Sequence, residues 1–249
     1  MRRITALFLA LLMTCSLVAC GQKDSADTPA QDGDPAQAEA PDTSAEPEEP
    51  QPEPYTISSP TIDRGTVDGV NYVAWDGVVE HLFFHPIVAY PELAFDGDSQ
   101  SDGIDDWMVT VDEYDKILQS VYDHDYVLVD INDVWSESTD ASGQPVMVRN
   151  TLYIPEGKKP LIISYDDVNY YDYMIEDGFT YKLIIGDDGL IWSYGLDPQG
   201  SEVISQDLDA ITILDKFVRE HPDFSPFGAK GSLSLTGYQG ILGYRTNTD

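Results

Sequence analysis

Residues 114–121 place Tyr114, Ile117, Leu118 and Val121 at the i, i+3, i+4, i+7 interval of a single helix face. Just upstream, Thr110-Val111-Asp112-Glu113 has the T-x-x-E form of a capping box, so the spacing predicts a helix opening at Thr110. A second helix is predicted over 207–220, with Ala210, Leu214, Phe217 and Val218 on one side. Residues 55–79 read as short strands and turns, including 72–75 followed by Asp76-Gly77. Strands are also predicted over 82–88, 126–130 and 232–235. The run Leu161-Ile162-Ile163 is apolar without alternation, which suits a strand buried on both faces. Residues 181–185 and 190–194 flank Gly186-Asp187-Asp188-Gly189 and predict a hairpin. Residues 96–106 read as an acidic loop. Strand–helix–strand order points to an α/β fold with parallel strands, and no internal repeat is present.

The first 54 residues follow a different pattern. Arg2 and Arg3 precede a short apolar run over 4–12 that is too short for a comfortable membrane span and reads as a secretory signal. Its end, Leu17-Val18-Ala19-Cys20-Gly21, resembles a bacterial lipobox, which implies cleavage after residue 19 and lipidation of Cys20. Residues 22–54 hold no Val, Ile, Leu, Phe, Tyr or Trp and carry Lys23 as their one basic residue, so they cannot bury a core. The expected organisation is a lipoprotein signal peptide over 1–19, a lipidated cysteine with a disordered acidic tether over 20–54, and one folded domain over 55–249. The expected location is extracytoplasmic, with a lipid anchor in the bacterial cell membrane.

Charge narrows the function classes. Thirteen Lys and Arg stand against 45 Asp and Glu, a net charge of −32 over 249 residues. A surface this negative repels phosphate backbones and anionic lipid head groups, so no nucleic-acid partner is expected. Cys15 and Cys20 are the two cysteines, which excludes a disulfide framework and a cysteine zinc site. No G-x-S-x-G, P-loop or G-x-G-x-x-G occurs.

Asp166-Asp167, at the end of the apolar 161–163 run, is the strongest chemical feature. In parallel α/β folds ligands gather at the carboxyl ends of strands. There one carboxylate can hold a metal and its neighbour can take a proton from water; the plainer alternative is a turn or helix cap. His85 follows the 82–84 apolar stretch, and Tyr165, Tyr170, Tyr171, Tyr173, Trp192 and Tyr194 could offer faces to sugar rings or simply pack. His81 and His85 stand too far apart on a strand to share one metal. His124 falls at a helix end, where a cationic side chain is favoured. The 96–106 segment lacks the glycine of a calcium loop, where Ser101 stands.

The order of these features resembles the polysaccharide deacetylase family (the NodB-homology domain). Phe84-His85 is similar to that family's aromatic-His pair. Val109-Thr110 with the following helix comes next, and Lys159-Pro160-Leu161-Ile162-Ile163-Ser164-Tyr165-Asp166-Asp167 is similar to its K-P-apolar-T-F-D-D-G. The resemblance implies the N-terminal part of a distorted (β/α) barrel with an inserted β-hairpin. It also implies Asp166 as the general base, Asp167 as a metal ligand, and His85, Tyr170 and Tyr171 as substrate-binding residues. The implied cofactor is a divalent metal, zinc first, and the implied partner is an N-acetylated glycan of the peptidoglycan or poly-N-acetylglucosamine kind. Val168 replaces the family's glycine and is expected to put a side chain beside the site. The family's H-[ST]-x-x-H is missing downstream, where His221 is the one histidine, and Tyr244-Arg245-Thr246 does not match its arginine motif. The expectation is therefore a chain that stops short of the remaining metal ligands. A non-catalytic glycan-binding lipoprotein on the same fold is the alternative. A glycosidase is weaker, since adjacent aspartates do not supply two carboxyls across a glycosidic bond.

Overall fold

The computed structural model describes residues 65–67 and 69–246. The signal peptide over 1–19, Cys20 and the tether over 20–54 lie outside the described residues.

The chain opens with β1 (Gly65–Val67), β2 (Val70–Trp75) and β3 (Glu80–Phe84). Three helices follow: α1 (Pro91–Ala94), α2 (Ser101–Trp107) and α3 (Val111–Asp123). Next come β4 (Tyr126–Leu128), α4 (Ile131–Val134), β5 (Trp135–Thr139), β6 (Pro145–Arg149), β7 (Leu152–Pro155) and β8 (Lys159–Asp166). The last third holds α5 (Asp172–Glu176), β9 (Lys182–Ile185), β10 (Ile191–Leu196), β11 (Glu202–Ser205), α6 (Ala210–Glu220), β12 (Ser232–Ser234), β13 (Gly240–Ile241) and β14 (Tyr244–Arg245).

β8 is the centre of a four-stranded parallel sheet. β3 runs along one edge from Glu80 opposite Leu161 to Phe84 opposite Tyr165. β4 pairs with the start of β8, Tyr126 opposite Lys159, and β12 pairs with its end, Ser234 opposite Asp166. Two three-stranded antiparallel sheets (β1-β2-β7 and β11-β10-β9) and the hairpins β5-β6 and β13-β14 complete the strands. The fold is mixed α/β with parallel strands, and among the described residues the strands close no barrel.

The unbroken apolar run of β8 is buried on both faces, as its sequence predicts. Leu161, Ile163 and Tyr165 join the main core with Tyr114 and Leu118 of α3 and Ile213, Leu214 and Val218 of α6. Ile162 points the other way, into a smaller core with Val129, Val134, Leu152 and Ile154. The capping box at Thr110 forms: its hydroxyl accepts the Glu113 N–H at 3.3 Å, and its own N–H donates to the Glu113 carboxylate at 2.8 Å. The turn Gly186–Gly189 joins β9 to β10 as predicted, with the Gly189 N–H on the Gly186 carbonyl at 2.9 Å.

Several expectations change. The strand predicted over 82–88 starts earlier and ends at Phe84, because Pro86 has no N–H to give a ladder. The acidic stretch 96–106 is a loop to residue 100 and then helix α2, anchored by buried Ile104. The strand over 126–130 stops at Leu128, and Asp130 caps α4 through the Asn132 N–H at 2.8 Å. The β5-β6 hairpin and α5 were not anticipated, being largely exposed or very short. No helix among the described residues is long and apolar enough to cross a membrane.

Candidate functional site

The parallel register of β3 and β8 brings His85 and Asp166 to the same end of the sheet, one residue past and level with the last paired positions. The loop after β8 is tightly wound. Asp167 adopts a left-handed conformation (φ 52°), its N–H donates to Asp166 Oδ1 at 2.9 Å, and its carbonyl accepts the Asn169 N–H at 2.6 Å. Tyr170 is left-handed as well (φ 54°). The Val168 side chain turns into the main core, so the side chain expected beside the site is instead removed from it.

Residues 236–246 clamp this loop. The fully buried Asn169 amide donates to Thr236 Oγ1 at 2.9 Å and to the Tyr238 carbonyl at 2.5 Å. The Leu242 N–H donates to the Val168 carbonyl at 2.9 Å. Arg245 donates to the Tyr170 carbonyl at 2.6 Å and to Asp172 at 2.8 Å. Of the five left-handed non-glycine residues among the described residues, Asp167 and Tyr170 lie in the loop and Gln239 and Leu242 in its clamp. Such conformations persist only where the surroundings over-determine them, and they gather at functional sites.

Behind the loop lies a buried polar network. Asp209 caps α6 through the Ile211 N–H at 2.9 Å, and its other oxygen accepts the Tyr170 hydroxyl at 2.7 Å and the Thr180 hydroxyl at 3.2 Å. Burial pushes the Asp209 carboxyl up despite these donors, and burial followed by the Asp209 charge pushes the Tyr170 phenol up. Tyr165 and Tyr114 share a hydroxyl–hydroxyl bond in the same core.

In front of the loop is a cleft with a volume of about 390 Å³, lined by His85, Asp167 and Tyr173 together with Trp107 and Met108 at the end of α2. Tyr173 is also part of a second hollow of about 440 Å³ with Tyr171, Asp172, Tyr238 and Gln239. The Tyr171 and Tyr173 rings are nearly parallel, 10° apart in plane and 6.0 Å between centres, and Tyr238 lies 6.2 Å from Tyr171. Partial burial and then the neighbouring Asp167 carboxylate push the Tyr173 phenol up, so it remains a hydrogen-bond donor.

Of the residues singled out from sequence, His85 and Asp167 meet in one cleft and Tyr171 joins the adjoining tyrosine shelf, while Asp166 ends β8 just before Asp167 and is not among the cleft's lining residues. Tyr170 does not: it is 1% exposed and belongs to the core network, because its left-handed backbone aims the ring inward at Asp209. Tyr165 is a core residue too. His81 bonds Ser164 Oγ at 2.8 Å on the strand, and His124 closes α3 on the Ser120 carbonyl at 2.7 Å. Sequence reasoning missed Trp107 and Tyr238, gave Asn169 no role, and weighed Arg245 only as a failed match to the arginine motif. The glycines 237, 240 and 243, all at positive φ, were the available sign of the tight clamp around Tyr238.

Asp167 and His85 offer two donors suited to a divalent metal, but a catalytic zinc takes three protein ligands. Among the described residues no group of three or more His, Cys, Asp or Glu side chains is arranged to hold a metal ion. The described residues therefore do not by themselves fit the implied metal centre. Compared with protein-family models, curated proteins and solved structures, the chain matches none.

Proposed function

We propose that this chain acts on an N-acetylated polysaccharide outside the cytoplasm, as an N-deacetylase held at the membrane through a lipid on Cys20. One observation carries the reading: His85 and Asp167 line a single cleft at the carboxyl ends of parallel strands, and Tyr173 joins that cleft to a shelf of tyrosines. A sugar ring stacks its C–H face on the shelf, and the acetamido group enters the cleft. Asp166 takes a proton from the attacking water and passes it to the amide nitrogen as the C–N bond breaks, so the amine stays on the sugar and acetate leaves, while His85 and the Tyr173 hydroxyl donate to the carbonyl oxygen as it gains charge. These steps use this chain's own groups. The four parallel strands β3, β8, β4 and β12 support the finer proposal of a partial (β/α) barrel of the deacetylase kind.

A second reading is glycan binding without turnover, which the tyrosine shelf of Tyr171, Tyr173 and Tyr238 would serve by itself. Chitin oligosaccharides with added zinc, with and without chelator, separate the two. Deacetylation predicts acetate release by the wild type, loss of it in Asp166→Asn, and unchanged oligosaccharide binding by that variant. Binding with no acetate under any condition selects the second reading, and neither binding nor acetate removes both. The anchor is tested separately: labelled fatty acid should enter the wild type and not Cys20→Ser.

A further inference from the structure

Asp177 follows the last turn of α5 with its carboxylate buried: the residue is 5% exposed, and its Oδ2 has no hydrogen-bond partner. A desolvated carboxylate oxygen without a donor is costly, and native folds keep few of them. Burial first, then the Asp98 and Asp96 charges, push this carboxyl up, so its neighbours in charge are the acidic loop between α1 and α2. The packing agrees. Ala94 and Ile104, which flank that loop, share one core cluster with Met174 and Phe179, which flank Asp177. The Gly178 carbonyl, next in the chain, accepts the Ala89 and Tyr90 N–H groups just before α1. Within the loop, Asp98 Oδ1 accepts the Gln100 N–H at 2.7 Å, the Ser101 N–H at 3.1 Å and the Ser101 hydroxyl at 3.3 Å. These bonds all fall on Oδ1, so they fix the carboxylate and leave Oδ2 to a ligand.

We infer that Asp177 and Asp98 bind one calcium ion through their Oδ2 atoms, with backbone carbonyls and water supplying its other oxygens. Calcium takes about six to eight oxygen ligands in a flexible shell and accepts carbonyl and water oxygens among them. Two carboxylates therefore suffice, although among the described residues no three His, Cys, Asp or Glu side chains are arranged to hold a metal. The site differs from a contiguous calcium loop, which Ser101 breaks, in drawing one ligand from the end of α5. With so few charged ligands its dissociation constant falls at the weak end, about 0.1–1 mM, the range of extracellular modules. The ion gives the buried Asp177 oxygen its missing partner and offsets the repulsion from Asp98. It also ties the loop that opens α2 to the end of α5, and these two helices supply Trp107 and Tyr173 to the cleft.

Melting curves of the full chain, freed of metal with chelator and titrated with calcium chloride at constant ionic strength, test this. The midpoint should rise by about 4 °C at a tenfold excess of calcium over its dissociation constant, along a saturating curve. Asp177→Asn and Asp98→Asn should each abolish the saturable rise. Both keep an Oδ1 acceptor, and Asp177→Asn in chelator should be at least as stable as the wild type, so loss of the response there is not loss of the fold. Asp140→Asn, in the exposed turn between β5 and β6, should keep the full response. No rise with calcium overturns the site. So does a rise that fails to saturate, that magnesium reproduces, or that survives in Asp177→Asn, since each assigns the effect to general screening of the −32 net charge.

Discussion

The Tyr170 hydroxyl donates to Asp209 Oδ2 at 2.7 Å, tying the loop that carries Asp167 to the first turn of α6. Both residues are buried, and Tyr170 is held there at a positive φ that a tyrosine does not otherwise favour. The bond offsets backbone strain beside the cleft with a buried hydrogen bond in the core.

Tyr170→Phe should lower stability by about 1–2 kcal/mol, since Asp209 keeps its burial and loses a donor. Asp209→Ala should cost about 3 kcal/mol, because it also uncaps α6 and leaves the Tyr170 and Thr180 hydroxyls unpaired. Urea titrations of the three proteins check this. A Tyr170→Phe protein of wild-type stability but weakened glycan binding would return Tyr170 to a substrate-facing role.

Asp177 gives a pH dependence with a definite sign. It is 5% exposed, its Oδ2 has no partner, and burial first, then the Asp98, Asp96 and Glu176 charges, push its carboxyl up from the ordinary 3.8. The native state therefore holds its proton more tightly than the unfolded state. Its contribution is fully present below pH 3.8 and is lost as pH rises through the elevated native value. Asp177→Asn should be more stable than wild type by about 1 kcal/mol at pH 7, with the gain fading toward pH 4. Melting curves across that range would show the opposite trend if a basic group faced Asp177.

Gly178 follows at φ 82°, and its carbonyl accepts the N–H groups of Ala89 and Tyr90, both at 3.0 Å. A Cβ there would meet the Tyr90 carbonyl at 2.5 Å. Gly178→Ala should therefore destabilise by more than about 2 kcal/mol, combining left-handed strain with backbone overlap. A variant within 0.5 kcal/mol of wild type in a denaturant titration, roughly the scatter of surface changes, would contradict this contact.

Tyr173 separates binding from folding. It is 39% exposed and reaches both hollows, so Tyr173→Ala should weaken oligosaccharide binding about tenfold with little change in melting temperature. Tyr173→Phe should retain most of the binding, since the ring face carries the stacking. Equal losses in the two variants would assign the contribution to the hydroxyl instead.

Periodicity along the chain determined α3 and α6, the doubly buried strand β8 and the β9-β10 turn, because burial of one helix face or both strand faces leaves a local record of apolar spacing. The same reading brought out Asp166-Asp167 and His85, whose placement at strand ends follows from parallel pairing. Only the tertiary structure decided which way each neighbouring side chain points. Tyr170 and Tyr171 are adjacent, yet a positive φ at Tyr170 sends one ring to Asp209 and leaves the other on the shelf. Likewise Val168 turns into the core, and Trp107, Tyr238 and Arg245 reach the site from distant segments. A left-handed residue or a long-range contact leaves no periodic mark in a sequence, because its energy comes from groups far apart in the chain that meet only on folding.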